Sequence, residues 1–171
     1  TCHGATLRKN LEHGAAQLYA SERAAEAEAQ PPAATGAPSA PVLFWNETER
    51  FGELSNWYPC DIEFTIQGQT HLYGSAEQLF MAHKADLFGD LVALNNLQAR
   101  RLSAAACKKI GQEVTNFDET RWGAAKRGIM LDVLTAKFEQ HPKLAHVLDS
   151  TGESTLVEAS PRDKVWGAGM G

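Results

Sequence analysis

An acidic and a basic side chain lie seven residues apart in the segment Ser75–Phe88, which has the pattern of a helix. Glu77 and Lys84 are then separated by about 700° of rotation, so both point to the same side of the helix. Phe80 and Met81 lie between them on that side. Apolar surroundings lower the pKa of a lysine, and a neutral amine is what a nucleophilic or Schiff-base lysine requires. The pair is therefore either a catalytic acid and amine or a structural ion pair at the edge of the core.

A second group of functional side chains lies near the C-terminus, where an apolar segment ends in Glu158. A proline-containing loop follows and presents Asp163, Trp166 and Gly167. Rigid scaffolds place functional groups in loops at strand ends. A tryptophan beside a glycine offers a flat face to a base or a sugar. Packing of Trp166 in the core is the alternative.

The stretch from Arg100 to Arg127 is basic, although the whole chain has a net charge of −5. It holds seven basic residues and three acidic ones. A locally positive surface on an acidic protein favours an anionic ligand. Within this stretch Trp122 precedes Lys126 by one helical turn, so the pair can stack on an aromatic ring and contact a phosphate. Solvated helix faces, and core packing of Trp122, are the alternatives.

The elements that must position these side chains are mainly helices, predicted over 75–88, 99–110, 118–140 and 142–149. Ser75 and Gln78 have the capping-box pattern at the start of the first helix. Gly111 is expected to end the second helix, and Asp118 to be the N-cap of the third and longest.

The strands are predicted to be few and short. One is expected at 42–46 and another at 155–159, and a hairpin at 61–73 has its turn at 67–69. The sequence shows no alternation of strands and helices and no internal repeat. These patterns predict the α+β class: a compact, predominantly helical single domain with a small hairpin.

Composition changes along the chain and predicts three parts. Residues 1–29 are rich in alanine and have leucines at helical spacing, so a helical extension is expected, with its helix over 4–29. Residues 30–41 contain four prolines, which predicts a linker. The domain itself is expected over 42–171.

Several classes of protein are excluded by pattern. The three cysteines form no CxxC pair, and the six histidines form no metal-binding motif, so neither a metal nor a cofactor is expected. No glycine-rich nucleotide loop of the common types is present. No apolar run approaches the roughly 18 residues that span a bilayer. We therefore expect a soluble monomer in a reducing compartment, the cytoplasm, with the nucleus as the alternative.

Read in order, several motifs resemble the NADAR (YbiA-like) family over about residues 42–169. The matching segments are Phe51-Gly52-Glu53-Leu54-Ser55-Asn56, Tyr73 to Ala85, Lys109-Ile110-Gly111, Trp122 with Lys126 and Ile129-Met130, Ala136-Lys137-Phe138-Glu139-Gln140, Leu156 to Pro161, Asp163, and Trp166-Gly167-Ala168-Gly169.

The resemblance implies a mostly helical α+β fold and N-glycosidase activity. It implies catalytic roles for Glu77, Lys84 and Asp163. It further implies substrate-binding roles for Ser55, Asn56, Trp122, Lys126, Glu158, Trp166 and Gly167.

Two substrate classes belong to the family that the sequence resembles. One is ADP-ribose linked to the amino group of guanine in DNA or RNA, where the enzyme counteracts an ADP-ribosyltransferase. The other is the phosphoribosylamino-pyrimidine intermediates of riboflavin synthesis. The basic stretch and its aromatic residues favour the first, because a diphosphate and an adenosine need a longer surface than a single phosphate does. A binding module for ADP-ribose without hydrolysis is the third possibility.

Overall fold

The computed structural model describes residues 40–99 and 101–160. Within these ranges the chain forms four strands, five α-helices and a single turn of 3-10 helix at Gly52–Leu54. In chain order the elements are β1 Val42–Phe44, β2 Ile62–Ile66, β3 Gln69–Tyr73, α1 Ala76–Phe88, α2 Leu91–Gln98, α3 Ala104–Gln112, α4 Glu119–Gln140, α5 Pro142–Asp149 and β4 Leu156–Glu158. The predicted α+β class, with helices predominant, is confirmed. The helix predicted over 4–29, and the linker up to residue 39, lie outside the described residues.

Strands β2 and β3 form an antiparallel hairpin in which Ile66 pairs with Gln69. The turn between them is made of two residues, Gln67 with φ 52° and Gly68 with φ 76°. Positive φ at both central residues is typical of a type I′ turn, whose twist suits the flanking strands. The predicted three-residue turn was therefore wrong by one residue, because Gln69 belongs to the ladder.

Strands β1 and β4 pair in parallel, with Val42 opposite Leu156 and Phe44 opposite Glu158. Both strands were predicted, each slightly longer than observed. The pairing joins the first and last described elements of the domain. It places Glu158 beside the strand at which the predicted domain begins.

Helix α1 lies at the centre of the helical part and packs against α2, α3, α4 and the hairpin. Apolar side chains are buried along its whole length, among them Ala76, Leu79, Ala82, Ala85 and Phe88. A helix that is apolar on most of its circumference is typical of a core position. Helix α1, on which Glu77 and Lys84 lie, is therefore the most buried helix that the structure describes.

The N-cap of α1 forms as predicted, with one difference. The Ser75 hydroxyl accepts a hydrogen bond from the Gln78 backbone N–H at 3.2 Å. The Gln78 side-chain carbonyl accepts one from the Gly74 N–H at 3.0 Å. In the usual capping box the side chain of the third helical residue bonds to the N–H of the N-cap residue. Here the Gln78 side chain bonds instead to the N–H of Gly74, the residue before the N-cap.

The helix predicted over 99–110 corresponds to α3, which begins five residues later, at Ala104, and ends at Gln112, whereas α2, over Leu91–Gln98, was not predicted. Asp90 and Ser103 cap them, each accepting a hydrogen bond from a backbone N–H three residues on, at 2.9 and 3.3 Å. Helix α3 continues through Gly111, the residue expected to end it. A β-carbon at Gly111 would overlap the Met81 sulfur, so this glycine allows close packing of α3 on α1.

Helices α4 and α5 are confirmed within one residue of their predicted bounds. The Asp118 carboxylate accepts a hydrogen bond from the Arg121 N–H at 2.6 Å and caps α4. Pro142 begins α5, where the missing N–H of proline has no cost.

Candidate active site

Glu77 lies in the first turn of α1, and its side chain is buried. Its backbone N–H donates a hydrogen bond to the Asn56 carbonyl at 2.9 Å. The first N–H groups of a helix have no partner within the helix, so Asn56 supplies one of them from another segment. The bond joins two residues that the family resemblance implies for the site.

Ser55 and Asn56 directly follow the 3-10 turn Gly52–Leu54, which lies close to the preceding chain. A β-carbon at Gly52 would lie 2.5 Å from the Glu47 carbonyl oxygen, so only glycine fits at this position. Ser55 is buried, and its hydroxyl accepts a hydrogen bond from the Trp57 N–H at 3.2 Å. These contacts fix the loop that reaches α1.

Lys137, on α4, also holds this loop, and sequence reasoning missed it. The Lys137 ammonium donates hydrogen bonds to the Glu53 carbonyl at 2.7 Å and to the Ser55 carbonyl at 2.8 Å. Its residue exposure is 0%, and burial lowers its pKa to about 8, against smaller opposing effects of Cys60 and Glu53. The Lys137-Phe138 motif in the sequence was the available signal, but nothing in its spacing indicated two carbonyl partners 82 and more residues away.

Lys84 lies two turns after Glu77 and reaches the end of α3. Its Nζ donates a hydrogen bond to the Gly111 carbonyl at 2.7 Å. The same atom lies 4.4 Å from the centre of the Phe117 ring and 5.3 Å from that of the Trp122 ring. Burial lowers the pKa of Lys84, and Glu119 opposes this effect. The amine is therefore partly desolvated between two aromatic side chains.

Glu77 and Lys84 both lie on the side of α1 that faces α3. Burial, and then the nearby Glu77 carboxylate, raise the pKa of the Cys107 thiol on α3 to about 11, while Lys84 contacts Gly111 near the end of the same helix. Their spacing of seven positions corresponds to a rise of about 10 Å along α1. Helix geometry thus fixes the spacing of the two side chains that were predicted to share a face.

Trp122 is half-buried in the first turn of α4 and packs partly against the core. Its ring centre lies 5.2 Å from that of Phe80 in the core, while Lys84 lies over the same ring. Lys126, one turn later, is also half-buried. Phe117, in the loop before α4, was not predicted for the site.

The predicted site residues near the C-terminus lie in β4 or outside the described residues. Glu158 is half-buried in β4, whereas Asp163, Trp166 and Gly167 lie beyond residue 160, outside the described ranges. Within 40–99 and 101–160, no three His, Cys, Asp or Glu side chains come close enough together to hold a metal ion. No helix in the same part of the chain is long and apolar enough to cross a membrane.

A groove of about 420 Å³ lies on another part of the domain, where the segment before β2 meets the start of α5. Its lining includes neither Glu77 nor Lys84; it consists of Tyr58, Pro59, Cys60, Gln140, His141, Pro142, Lys143 and Leu144. This groove is therefore not lined by Glu77 or Lys84, the described residues that were predicted to act in catalysis.

Comparison with known proteins identifies the family to which this chain belongs. Residues 43–171 match the model of the NADAR domain. The chain therefore belongs to the NADAR family, as its motifs predicted. The NMR structure of the Escherichia coli protein YbiA resembles this fold with a TM-score of 0.63 at 26% identity, covering 77% of this chain and 74% of that one.

Particular relatives carry names that state an activity. The N-glycosidase of Acanthamoeba polyphaga mimivirus is 39% identical over 118 residues, which cover 68% of this chain and 69% of the relative. N-glycosidase YbiA of Escherichia coli is 28% identical over 129 residues, 75% of each protein. A riboflavin biosynthesis protein of Vibrio vulnificus is 33% identical over 129 residues, covering 75% of this chain but 33% of that longer protein. Together the family and these relatives support a glycosidase, a hydrolase of N-glycosidic bonds.

Proposed function

We propose that this chain removes ADP-ribose from ADP-ribosylated guanine in nucleic acid, by hydrolysing the bond between ribose C1 and the exocyclic amine. The observation that carries the proposal is the placement of the Lys84 amine beside the rings of Phe117 and Trp122. The amine is partly buried there, which lowers its pKa and favours the neutral form, the form that attacks carbon.

The proposed reaction uses the ring-opened form of the glycosylamine, in which C1 and the base amine form a protonated imine. Neutral Lys84 adds to C1, and a proton moves from the Lys84 nitrogen to the base amine. The bond from C1 to the base amine breaks, the base leaves as its free amine, and C1 remains bound to Lys84 as a Schiff base. Water adds to C1, and breaking of the C1–Lys84 bond releases the sugar and the free lysine.

Proton transfer in this scheme is assigned to Glu77 and Asp163. Glu77 is buried near α3, on the side of α1 that carries Lys84. A direct route through an oxocarbenium-like state uses the same two carboxylates, one to assist the leaving amine and one to activate water. The two routes differ in whether a covalent bond to Lys84 forms.

ADP-ribose is favoured as the sugar by the charge and the aromatic residues near Lys84. The exposed side chains of Lys109, Arg121 and Arg127 belong to the basic stretch and are available to phosphates. Arg101 is engaged, since it forms an ion pair with Asp61. Because the proposed enzyme restores unmodified guanine, it counteracts an ADP-ribosyltransferase. We propose that it acts as a monomer in the cytoplasm or the nucleus.

The second candidate substrate is a phosphoribosylamino-pyrimidine of riboflavin synthesis. The similarity to riboflavin biosynthesis proteins of Vibrio vulnificus and of Zea mays, the latter at 30% identity, supports it. Both candidates contain the same type of bond, so the proposed chemistry is common to them. The two substrates differ in the group attached to the ribose: ADP-ribose has a diphosphate and an adenosine, whereas the pyrimidine intermediate has a single phosphate.

The deciding experiment presents both substrates to the same preparation under multiple turnover. We expect ADP-ribose to be released from a modified oligonucleotide and the unmodified guanine to remain in the strand, with kcat/KM falling as salt rises, because phosphate contacts release counterions. An unmodified oligonucleotide is the control for product detection. Efficient cleavage of the pyrimidine intermediate alone would reverse the preference, and saturable binding without product would identify a binding module.

The Glu77→Gln variant is expected to fold normally and to lose about 10²-fold or more in kcat, the usual contribution of a positioned acid or base. Glutamine has nearly the same shape, so the hydrogen bond from the residue 77 N–H to Asn56 remains. The Glu139→Gln variant, at an exposed position of α4, is the matched control. Wild-type kcat in Glu77→Gln would remove this carboxylate from the mechanism.

A further inference from the structure

Phe117 is an aromatic side chain held at the surface next to the proposed nucleophile. Its exposure is 44%, whereas the neighbouring Phe88 is 5% exposed. The ring centres of the two phenylalanines lie 5.3 Å apart. Because Lys84 covers one part of the Phe117 ring and Phe88 another, the exposed part of the ring is what remains free for a ligand.

The loop that carries Phe117 is fixed on both sides. Two residues earlier, the Thr115 N–H and hydroxyl both donate hydrogen bonds to the Asp90 carboxylate at 2.9 Å. One residue later, Asp118 caps α4. Val114 of the same loop is buried. The exposure of Phe117 is therefore built into the anchored loop, although burying a phenylalanine would be favourable.

The charges around the ring limit what it can bind. The Arg121 guanidinium lies 5.7 Å from the centre of the Phe88 ring, and the Lys84 amine lies at Phe117 itself. The carboxylates of Asp118 and Glu119 are close by in the chain, so the surroundings are charged. An aromatic face flanked by cations is the arrangement that stacks on nucleobases whose phosphates are bound nearby.

We propose that Phe117 forms a stacking subsite for a nucleobase of the substrate, beside Lys84. This inference rests on the proposed function, since it takes the substrate to be a nucleotide linked through ribose C1. The base is either the leaving base at C1 or the adenine of ADP-ribose, and both offer the same flat face.

The test compares Phe117→Leu, Phe117→Ala and Phe117→Tyr on guanine that carries ADP-ribose. Leucine keeps an apolar cover on Lys84 but removes the aromatic face, so KM should rise about tenfold or more in the Leu and Ala variants. Tyrosine keeps the ring and should recover most of that loss. The apparent pKa values in the pH profile of kcat should be the same in Phe117→Leu as in the wild type. An unchanged KM, or a change confined to kcat and its pH profile, would overturn the subsite.

A second substrate, guanine carrying 5-phosphoribose without the adenosine, distinguishes the two sources of the base. If Phe117 stacks on the leaving base, the KM effect of Phe117→Leu persists, and if it stacks on adenine, the effect disappears. Should the wild type turn over neither substrate, the proposed function fails while the subsite stays testable by calorimetry. Phe117→Leu must then weaken the binding of ADP-ribose or of GMP about tenfold, and equal binding to both proteins would overturn the inference.

Discussion

Turnover is expected to fall by about 10³-fold or more when Lys84 is replaced by alanine, because the proposed covalent route loses its nucleophile. The protein should remain folded. The Lys84 ammonium satisfies the Gly111 carbonyl, a single hydrogen bond whose loss costs about 1 kcal/mol. Initial rates on modified oligonucleotide, with circular dichroism as the check on folding, measure the two effects separately.

Two further measurements separate a nucleophile from a positive charge. The Lys84→Arg variant keeps a cation beside Phe117 and Trp122 but cannot form a Schiff base, so it should be as inactive as the alanine variant. Borohydride added during turnover should fix the sugar to wild-type Lys84 and add no mass to Lys84→Arg. Because burial lowers the pKa of Lys84, kcat/KM should rise with pH and level off below the ordinary lysine value. A wild-type rate in Lys84→Arg would disprove the covalent route.

The largest loss of stability is expected at Lys137. The Lys137→Met variant preserves most of the side-chain volume, leaves the Glu53 carbonyl without its Lys137 donor and leaves the Ser55 carbonyl with the Tyr58 N–H alone. An unsatisfied carbonyl costs about 1–3 kcal/mol and the loss of a second hydrogen bond about 1 kcal/mol, so the free energy of unfolding should fall by about 2–4 kcal/mol. Urea denaturation measures it, and Lys143→Met, at an exposed position, is the matched control.

The pH dependence of stability gives Lys137 a separate signature. Its pKa is about 8 in the folded protein, lower than in the unfolded chain. Between that pH and about 10.5 the unfolded chain therefore binds more protons, and the contribution of Lys137 to the free energy of unfolding rises with pH. The neutral amine still has two N–H groups for its two carbonyl partners. The difference between wild type and Lys137→Met should widen over this range, and a constant difference would contradict this account.

The helix boundaries show what local sequence can predict. Ser75 and Asp118 cap their helices through side-chain bonds to residues three positions on, and both starts were predicted because the signal is local. Asp90 and Ser103 make similar bonds but were passed over: no helix was predicted after Asp90, and the helix over 99–110 was expected to begin before Ser103. Gly111 was misjudged because its role depends on Met81, thirty residues away.

The residues of the candidate site were likewise predicted where the signal is local and missed where it is not. Helical spacing placed Glu77 and Lys84 on one side of a helix and paired Trp122 with Lys126, and the family motifs added Asn56. Lys137 and Phe117 were missed because their roles come from tertiary contacts: the first depends on two backbone carbonyls, the second on exposure imposed by an anchored loop. Periodicity describes one element at a time, and neither contact lies within one element.

The two proposed reacting groups, Glu77 and Lys84, share one helix that other elements enclose. Their separation depends on the backbone hydrogen bonds of α1, so it does not change when a surrounding loop changes length or composition. The loop at 113–118, which carries Phe117, and the turn before Asn56 lie outside this helix. A mutation in either segment can therefore alter the proposed contacts to the substrate and leave the spacing of Glu77 and Lys84 along α1 unchanged.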